Sequence, residues 1–323
     1  MKKTVLTGFI IGLCLLIIPL VNIKGETKDK KAEVLQTLAK AEKADTSAPQ
    51  PEDRFFRIKT ANGIKVLSEE DYIIGVVSAE MPASFGIEAL KAQSVAAYTF
   101  ALYKKEQNKG GEYDLTDSYR TDQSYLSPDA LKEKWGEEYE NKTAIIKEAV
   151  SATAGEYLSF GGEVALTLYH ALSSGFTNSC ADVFGSKLPY LISVDSQSDK
   201  LSPDYQSVFS FSADELTEKL AEIKKANVSE NLFSGIKTAK SGLVKEIKYA
   251  GEKVTGAKIC ELLSLPAPTF SVEYSEGGYT FTCLGRGHGV GMSQYGAGQF
   301  AQTGSTYREI LAHYYPGTEL VKS

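Results

Sequence analysis

The sequence predicts a mixed α+β fold, in which a single domain of small sheets, hairpins and a helical elbow follows an N-terminal transmembrane anchor. Three observations predict it. An uncharged run near the N-terminus is long enough to cross a bilayer. Short alternating segments meet at glycine-containing turns, which is typical of β-hairpins. Apolar residues at helical spacing stand on both sides of a Met-Pro pair, which indicates two helices joined at a bend.

Composition agrees with a folded domain and argues against one class of partner. Of the 323 residues, 42% are hydrophobic and 24% are charged, which is ordinary for a globular protein. The formal net charge is -6 at pH 7. Proteins that bind nucleic acid usually carry a basic patch, so we expect no nucleic-acid partner here.

The N-terminal segment, residues 1–23, predicts a membrane anchor. Lys2 and Lys3 precede an uncharged run over residues 4–23, which as a helix rises about 1.5 Å per residue and covers about 30 Å. The positive-inside rule places the N-terminus in the cytoplasm and the rest of the chain outside the cell membrane. No A-x-A cleavage motif follows, which favours an uncleaved single-pass anchor over a removed signal peptide, although both readings stay open.

Residues 24–53 predict a spacer between the anchor and the domain. They are rich in charge and alanine, have few large apolar residues and end near two prolines. Such a composition cannot bury enough apolar surface to fold alone. The folded extracytoplasmic domain is therefore predicted to occupy residues 54–323.

The domain opens with a hairpin that leads into a helix. Residues 55–59 and 64–67 are short strand candidates joined across Asn62-Gly63, a dipeptide that suits a type I′ turn. Ser68, with Asp71 three residues later, predicts the N-terminal cap of the following helix.

Glu80 is predicted to lie at an elbow between two helices. Apolar residues at helical spacing lead up to it, and Met81-Pro82 then stops the helix before a second apolar stripe begins at Ile87. A carboxyl on the last turn faces the negative end of the helix dipole, and apolar neighbours also disfavour its ionised form. A raised pKa suits a general acid for glycosidic cleavage. Glutamates at helix ends are common, however, and these residues alone favour a solvated structural glutamate.

The remaining elements follow from caps, turns and alternation. Ser127-Pro128 starts one helix, and Gly155 ends another that begins near residue 138. Ser212 and Glu215 predict a cap for a helix of LTEKLAEIKKA character. Strand, helix and hairpin predictions complete the chain: a hairpin of residues 156–160 and 163–170, a strand over 243–249, a helix over 253–265, a hairpin of 269–274 and 279–284, and a last helix over 307–313.

Two glycine-rich stretches predict backbone that approaches a ligand closely. The cleft loop, residues 169–185, reads YHALSSGFTNSCADVFG and offers many hydrogen-bond donors and acceptors. The glycine-rich motif, residues 285–297, reads GRGHGVGMSQYGA and suits a groove for an extended polymer. A phosphate-binding loop is the rival interpretation, but the Lys-Ser/Thr ending of a Walker motif is missing.

Two long blocks carry a resemblance to a known family. VVSAEMPASFGIEALKAQSVAAYTFALY and GRGHGVGMSQYGAGQFAQTGSTYREILAHYYPGTEL closely resemble the stage II sporulation protein D family of peptidoglycan lytic transglycosylases, in order from about residue 54 to the C-terminus. The resemblance implies a mixed α/β catalytic domain with Glu80 as the acid/base. It also implies substrate-binding roles for residues on the second helix, a following loop, the cleft loop and the glycine-rich motif: Lys91, Gln123, Tyr125, Ser173, Ser174, Thr177, His288, Ser293, Gln294 and Tyr295. For the tyrosines of the polar loop, packing against the protein surface is the more common alternative.

The same resemblance implies a reaction and its setting. The enzyme would cleave the bond between N-acetylmuramic acid and N-acetylglucosamine and leave 1,6-anhydro ends, without a required cofactor. Its substrate would be glycan strands from which an amidase has removed the peptides, during septal wall remodelling and engulfment in sporulation. The implied partners are therefore peptidoglycan, a wall amidase, a membrane protein of the engulfment complex and the membrane that holds the N-terminal helix.

Metal binding and a departure from the family pattern leave two alternatives. Some relatives bind zinc through cysteine and histidine, which makes His170 and Cys180 a candidate pair for a structural zinc. A complete set needs further ligands, and the candidates are Cys283, Asp182 and His288. The competing interpretation is a structural His170 that is hydrogen-bonded within its loop. A zinc-dependent wall hydrolase is therefore one alternative.

Tyr98 stands where the family usually has arginine, which lends weight to the other alternative, a non-catalytic glycan-binding scaffold. A Ser293-His288 nucleophile pair lacks a triad context and ranks last.

Overall fold

The computed structural model describes residues 54–226 and 232–323. The predicted anchor (residues 1–23) and spacer (residues 24–53) lie outside these ranges. Within them, no helix is long and apolar enough to span a bilayer. The described chain is a mixture of helices and small sheets, which confirms the predicted α+β class.

The first elements match the predicted hairpin and elbow. Strands β1 (Phe55–Thr60) and β2 (Gly63–Ser68) pair antiparallel, and helices α1 (Glu69–Glu80) and α2 (Ile87–Gln107) follow. The Ser68 hydroxyl accepts the Asp71 N–H, so the predicted cap is confirmed. Met81 is extended (φ -127°, ψ 132°) and a short 3₁₀ turn over Ala83–Phe85 leads to Gly86, where φ is +93°. Glu80 therefore ends α1 at a sharp bend.

The middle of the chain wraps around α2. In order come β3 (Leu115–Thr116), α3 (Pro128–Trp135), α4 (Tyr139–Ala152), β4 (Glu156–Phe160), β5 (Glu163–Val164), β6 (Tyr169–His170) and α5 (Cys180–Phe184). Helix α2 is buried along most of its length and packs against α1, α4 and β4, so it forms the centre of the first hydrophobic cluster.

The second predicted hairpin is correct in place but its second strand is too long. Pairing with β4 ends at Val164, because the chain then turns toward α2, where the Thr167 hydroxyl donates to the Ala96 carbonyl. The Leu166 N–H is taken by the Tyr190 hydroxyl. These side-chain contacts replace the ladder that alternation predicted.

A second hydrophobic cluster is built by residues 206–284. Its elements are β7 (Gln206–Ser212), α6 (Ala213–Lys219), β8 (Phe233–Thr238), β9 (Val244–Tyr249), β10 (Glu252–Val254), α7 (Gly256–Leu263), β11 (Phe270–Ser275) and β12 (Gly278–Leu284). The sheet orders are β10-β9-β8 and β11-β12-β7. The predicted helix over residues 253–265 starts late, because Lys253 belongs to β10 and pairs with Lys248 of β9. Helix α6 likewise stops at Lys219, short of the predicted stretch.

The C-terminal elements return to the first cluster. They are β13 (Met292–Ser293), α8 (Gln294–Gln302), α9 (Tyr307–Tyr314) and β14 (Glu319–Lys322). Strand β13 pairs parallel with β6, and β14 pairs with β4. The last predicted helix is confirmed as α9. Helix α8 was not predicted, because its sequence contains glycines, which have a low helix propensity. The three described cysteines, Cys180, Cys260 and Cys283, are buried free thiols.

Candidate active site

Glu80 lies where three distant segments of the chain meet. Its Oε1 accepts the backbone N–H of Ser124 at 2.9 Å, and its Oε2 accepts the side-chain amide of Gln294 at 3.4 Å. Ser124 belongs to the loop before α3, and Gln294 opens α8. The elbow, this loop and the glycine-rich motif thus converge on one carboxyl group.

The environment raises the pKa of Glu80 above its usual range. Desolvation by burial is the largest cause, and the hydrogen bonds from Ser124 and Gln294, with the positive charge of Lys134, lower the pKa only in part. A raised pKa keeps the carboxyl protonated closer to neutrality, so that it can donate a proton. From the sequence, the helix end and the apolar neighbours were the expected causes of a raised pKa. In the structure, the largest cause is the burial of the carboxyl.

A second glutamine orients the amide that contacts Glu80. The Gln294 amide lies 3.4 Å from the side-chain oxygen of Gln93, which is buried on α2. Both N–H groups of Gln294 therefore have acceptors, one on Glu80 and one on Gln93. This arrangement fixes which end of the Gln294 amide faces the carboxyl.

Gln123 and Tyr125 support the loop that carries Ser124. The Gln123 amide donates to the Tyr72 hydroxyl and the Ala97 carbonyl, both at 3.2 Å, and accepts the Tyr169 hydroxyl at 2.7 Å. Tyr125 stacks on Tyr72 with ring centroids 5.7 Å apart. Their described contacts are to the protein, and their predicted contact with substrate stays a prediction. Ser124, which sequence reasoning missed, makes the direct contact through its backbone.

The predicted residues of the cleft loop hold that loop in shape. Ser173 donates its N–H to Asp199 at 2.8 Å, and the Ser174 hydroxyl donates to the Ser241 carbonyl at 2.8 Å. The Thr177 hydroxyl accepts the Val194 N–H at 2.9 Å. None of the hydrogen bonds described for these three residues reaches Glu80.

His170 and His288 form a buried pair with ring centroids 5.9 Å apart. The Nδ1 of His170 faces the Val290 carbonyl at 3.2 Å, while the Nδ1 of His288 accepts the Val290 N–H at 3.0 Å. Burial lowers the pKa of His170 to about 3 and that of His288 to about 4. Both rings are therefore neutral near pH 7, and Val290 requires a proton on Nδ1 of His170 but not of His288.

The predicted zinc site does not fit the donor groups that the structure describes. Over residues 54–226 and 232–323, no three His, Cys, Asp or Glu side chains are grouped to hold a metal ion. Burial raises the pKa of the Cys180 thiol to about 11, and Asp182 is paired with Lys245 at 2.6 Å. Cys283 belongs to the second hydrophobic cluster. A zinc ion that needs four ligands would find too few beside His170.

The glycine-rich motif brings the other predicted residues to α8. The Ser293 hydroxyl accepts the Gly296 N–H at 3.2 Å and so caps α8, which places Gln294 on its first turn. The Tyr295 ring packs edge-on against Phe85 of the elbow, with centroids 6.0 Å apart. The motif therefore touches both the carboxyl and the bend that carries it.

The described contacts of Lys91 and Tyr98 are with residues other than Glu80. Lys91 pairs with Glu88 at 2.7 Å near the start of α2, and the other oxygen of Glu88 accepts the Tyr307 N–H of α9. The Tyr98 hydroxyl donates to Glu69 at the opposite end of α1, about 16 Å along the helix from Glu80. The tyrosine in place of the family arginine thus leaves the described partners of Glu80 untouched.

Comparisons with known proteins find similar sequences. A family model described as "Stage II sporulation protein" matches residues 57–160, which include Glu80. Stage II sporulation protein D of Bacillus subtilis (strain 168) is 36% identical over 266 residues, covering 81% of this chain and 77% of that protein. Stage II sporulation protein D of Bacillus amyloliquefaciens is 35% identical over 268 residues, with the same coverage. The amidase enhancer of Bacillus subtilis (strain 168) is 27% identical over 302 residues, covering 76% of this chain and 40% of that protein.

Proposed function

The chain belongs to the stage II sporulation protein D family, and from that premise we propose that it is a peptidoglycan lytic transglycosylase. The observation that carries the proposal is a single glutamic acid with a raised pKa at the convergence of the two family motifs. Its substrate would be the glycan strand, cleaved between N-acetylmuramic acid and N-acetylglucosamine. Its setting would be wall remodelling during sporulation.

One carboxyl group is enough for this reaction. Glu80 donates its proton to the glycosidic oxygen as the bond to the muramic anomeric carbon breaks. The resulting carboxylate then accepts the proton of the muramic 6-hydroxyl, whose oxygen bonds to the anomeric carbon and closes a 1,6-anhydro ring. Glu80 ends protonated, no water is consumed, and the second carboxylate that most glycosidases use is not needed.

The products distinguish this reaction from hydrolysis. We expect the full chain, purified in detergent, to convert peptide-free glycan strands into anhydro-muramic ends that carry no label when the water is enriched in ¹⁸O. Mass spectrometry measures both properties. A muramidase that hydrolyses the same strands serves as the control and should yield labelled reducing ends. Labelled reducing ends from this chain would refute the transglycosylase and favour a hydrolase.

A second candidate function is supported by the name of one relative. The resemblance to an amidase enhancer favours a non-catalytic subunit that binds glycan and assists an amidase. In the catalytic proposal, the amidase instead prepares the peptide-free substrate, and residues 1–23 hold the chain at the membrane. Binding of glycan strands without any cleavage would favour the non-catalytic subunit.

Lys134 supplies a positive charge beside the proposed acid. Desolvation is the largest influence on the pKa of Glu80, which it raises, and on that of Lys134, which it lowers. Beyond desolvation, the positive charge of Lys134 lowers the pKa of Glu80, and the negative charge of Glu80 raises the pKa of Lys134. The described structure gives Lys134 no ion pair, and its ammonium lies 5.9 Å from the ring of Trp135. Removal of the stem peptide leaves a free lactyl carboxylate on muramic acid. We propose that Lys134 pairs with that carboxylate and so favours peptide-free strands.

Replacing Lys134 with methionine should reduce this preference. In a Glu80→Gln background, which prevents turnover, we expect the Lys134→Met variant to bind strands with free lactyl carboxylates about tenfold more weakly. Strands whose lactyl groups are amidated should bind both proteins equally, and calorimetry measures the affinities. Lys132→Met, on the same helix, is the matched control. An equal loss with both kinds of strand would exclude recognition of the carboxylate.

A further inference from the structure

Asp199 is a fully buried carboxylate that neither family motif contains. It lies in a 3₁₀ turn over Gln197–Leu201, between the cleft loop and β7, and its exposed fraction is 0%. Its hydrogen bonds come from the Ser173 N–H at 2.8 Å, the Ser196 hydroxyl at 3.1 Å and the Ser293 hydroxyl at 3.0 Å. No lysine, arginine or histidine of the described residues forms an ion pair with it. A buried carboxylate is costly, and here only these neutral donors compensate it.

The bond to Ser293 sets the direction of a helix cap. Burial raises the pKa of Asp199, and the hydrogen bonds from Ser173, Ser293 and Ser196 lower it in part. In its ionised form this carboxylate can only accept, so the Ser293 hydroxyl donates to Oδ1 of Asp199. The oxygen of Ser293 is then left with a lone pair for the Gly296 N–H, which it accepts at 3.2 Å. Asp199 therefore holds the hydroxyl in the orientation that caps α8.

The capped helix places the amide that touches Glu80. Gln294 immediately follows Ser293 and is the first residue of α8, and its side chain reaches Oε2 of Glu80. The other oxygen of Asp199 takes the Ser173 N–H, which fixes the cleft loop against the same point. One buried carboxylate thus joins the cleft loop to the helix that contacts the proposed acid.

The packing around this carboxylate leaves little room for adjustment. A Cβ atom added at Gly296 would lie 2.7 Å from the Ser196 hydroxyl oxygen and 3.0 Å from Oδ1 of Asp199. The Ser196 hydroxyl is also bonded to the Tyr314 hydroxyl of α9 at 2.8 Å. A change in the position or polarity of the Asp199 side chain must therefore be passed on to Ser293 and α8.

We propose that Asp199 is a positioning residue for the proposed active site. Through Ser293 and the first turn of α8, it holds the Gln294 amide against Glu80. The effect on turnover rests on the proposed function, whereas the effect on the Glu80 carboxyl does not. The hydrogen bond from Gln294 favours the ionised form of Glu80, so its loss must raise the pKa of that carboxyl.

The test follows the Glu80 carboxyl directly. The full chain with ¹³C-labelled glutamate side chains is titrated by NMR, and the Glu80 signal is assigned by its absence in Glu80→Gln. Asparagine at position 199 keeps the shape but replaces one acceptor by a donor. We expect Asp199→Asn and Ser293→Ala to shift the Glu80 titration to higher pH, and the double variant to shift it no further. If glycan is cleaved, turnover should also fall about tenfold in each.

Two matched controls separate positioning from stability. Asp114→Asn alters another buried carboxylate, which binds Arg57 of β1, and Thr306→Ala removes the cap of α9. Neither should move the Glu80 titration, although both should destabilise the fold. An unchanged Glu80 titration in Asp199→Asn or in Ser293→Ala would overturn the proposal, and Ser293→Ala carries the test alone if Asp199→Asn does not fold. A titration shift without any glycan cleavage would refute the proposed function and leave this inference standing.

Discussion

Replacing Glu80 with glutamine is expected to lower the formation of anhydro-muramic ends about a thousandfold, because an amide cannot donate the proton that the leaving oxygen requires. Glutamine keeps the shape of the side chain and can still accept the Ser124 N–H. Its amide nitrogen would face the donor of Gln294, which must then rotate. Mass spectrometry of peptide-free glycan strands, incubated with equal amounts of each protein, measures the difference.

Glu70→Gln is the control for that experiment. Glu70 lies on the same helix at its opposite end, where it accepts the Ser151 hydroxyl on the surface. We expect this variant to cleave glycan at close to the unaltered rate. Undiminished cleavage by Glu80→Gln would show that another group supplies the proton, and the proposed mechanism would then be wrong.

Replacing Gly291 with alanine is expected to destabilise the protein by about 3 kcal/mol or more, through strain and a backbone clash. Gly291 has a φ of +73°, and an added Cβ would meet the Leu168 carbonyl oxygen well inside van der Waals contact. The Tyr315 ring, 3.3 Å from that position, closes the other side. Relief would require β13 to move away from β6, which it pairs with at Met292. Urea unfolding, followed by tryptophan fluorescence, measures the change.

Gly304→Ala separates the clash from the backbone conformation. Gly304 has a φ of +94°, but an added Cβ would meet no atom within 4 Å. We expect a loss of about 1 kcal/mol there, from the left-handed conformation alone. Equal losses at the two glycines would contradict the close approach of the glycine-rich motif to residue 168.

Local rules predicted the elements that carry the proposed acid. The Ser68 cap, the hairpin before α1 and the bend after Glu80 depend on residues within a few positions of one another, and all three are confirmed. Caps, turns and proline act through neighbouring backbone groups, so short stretches of sequence contain the information. The family motifs pointed to Gln294 as a substrate-binding residue; that role stays a prediction, and in the structure its amide contacts Glu80.

Predictions that depended on distant partners were less successful. The sequence did not show which candidate ligand lies next to His170: in the structure it is His288, 118 positions later, and a zinc ion at this pair stays a prediction. The strand predicted over residues 163–170 stops as β5 at Val164, where contacts with α2 follow, and α8 was missed. Alternation and glycine content describe a segment's own preferences, which tertiary contacts can override.

The sequence by itself determined the α+β class, the elbow at Glu80 and membership of the family, because these follow from local periodicity, capping and two continuous motifs. Only the tertiary structure decided what surrounds the carboxyl. Ser124 and Gln294 approach it from 44 and 214 positions away, and Asp199 acts on Ser293 across 94. Such contacts are made when separate elements pack into one core. The burial that raises the pKa of Glu80 therefore exists only in the folded protein.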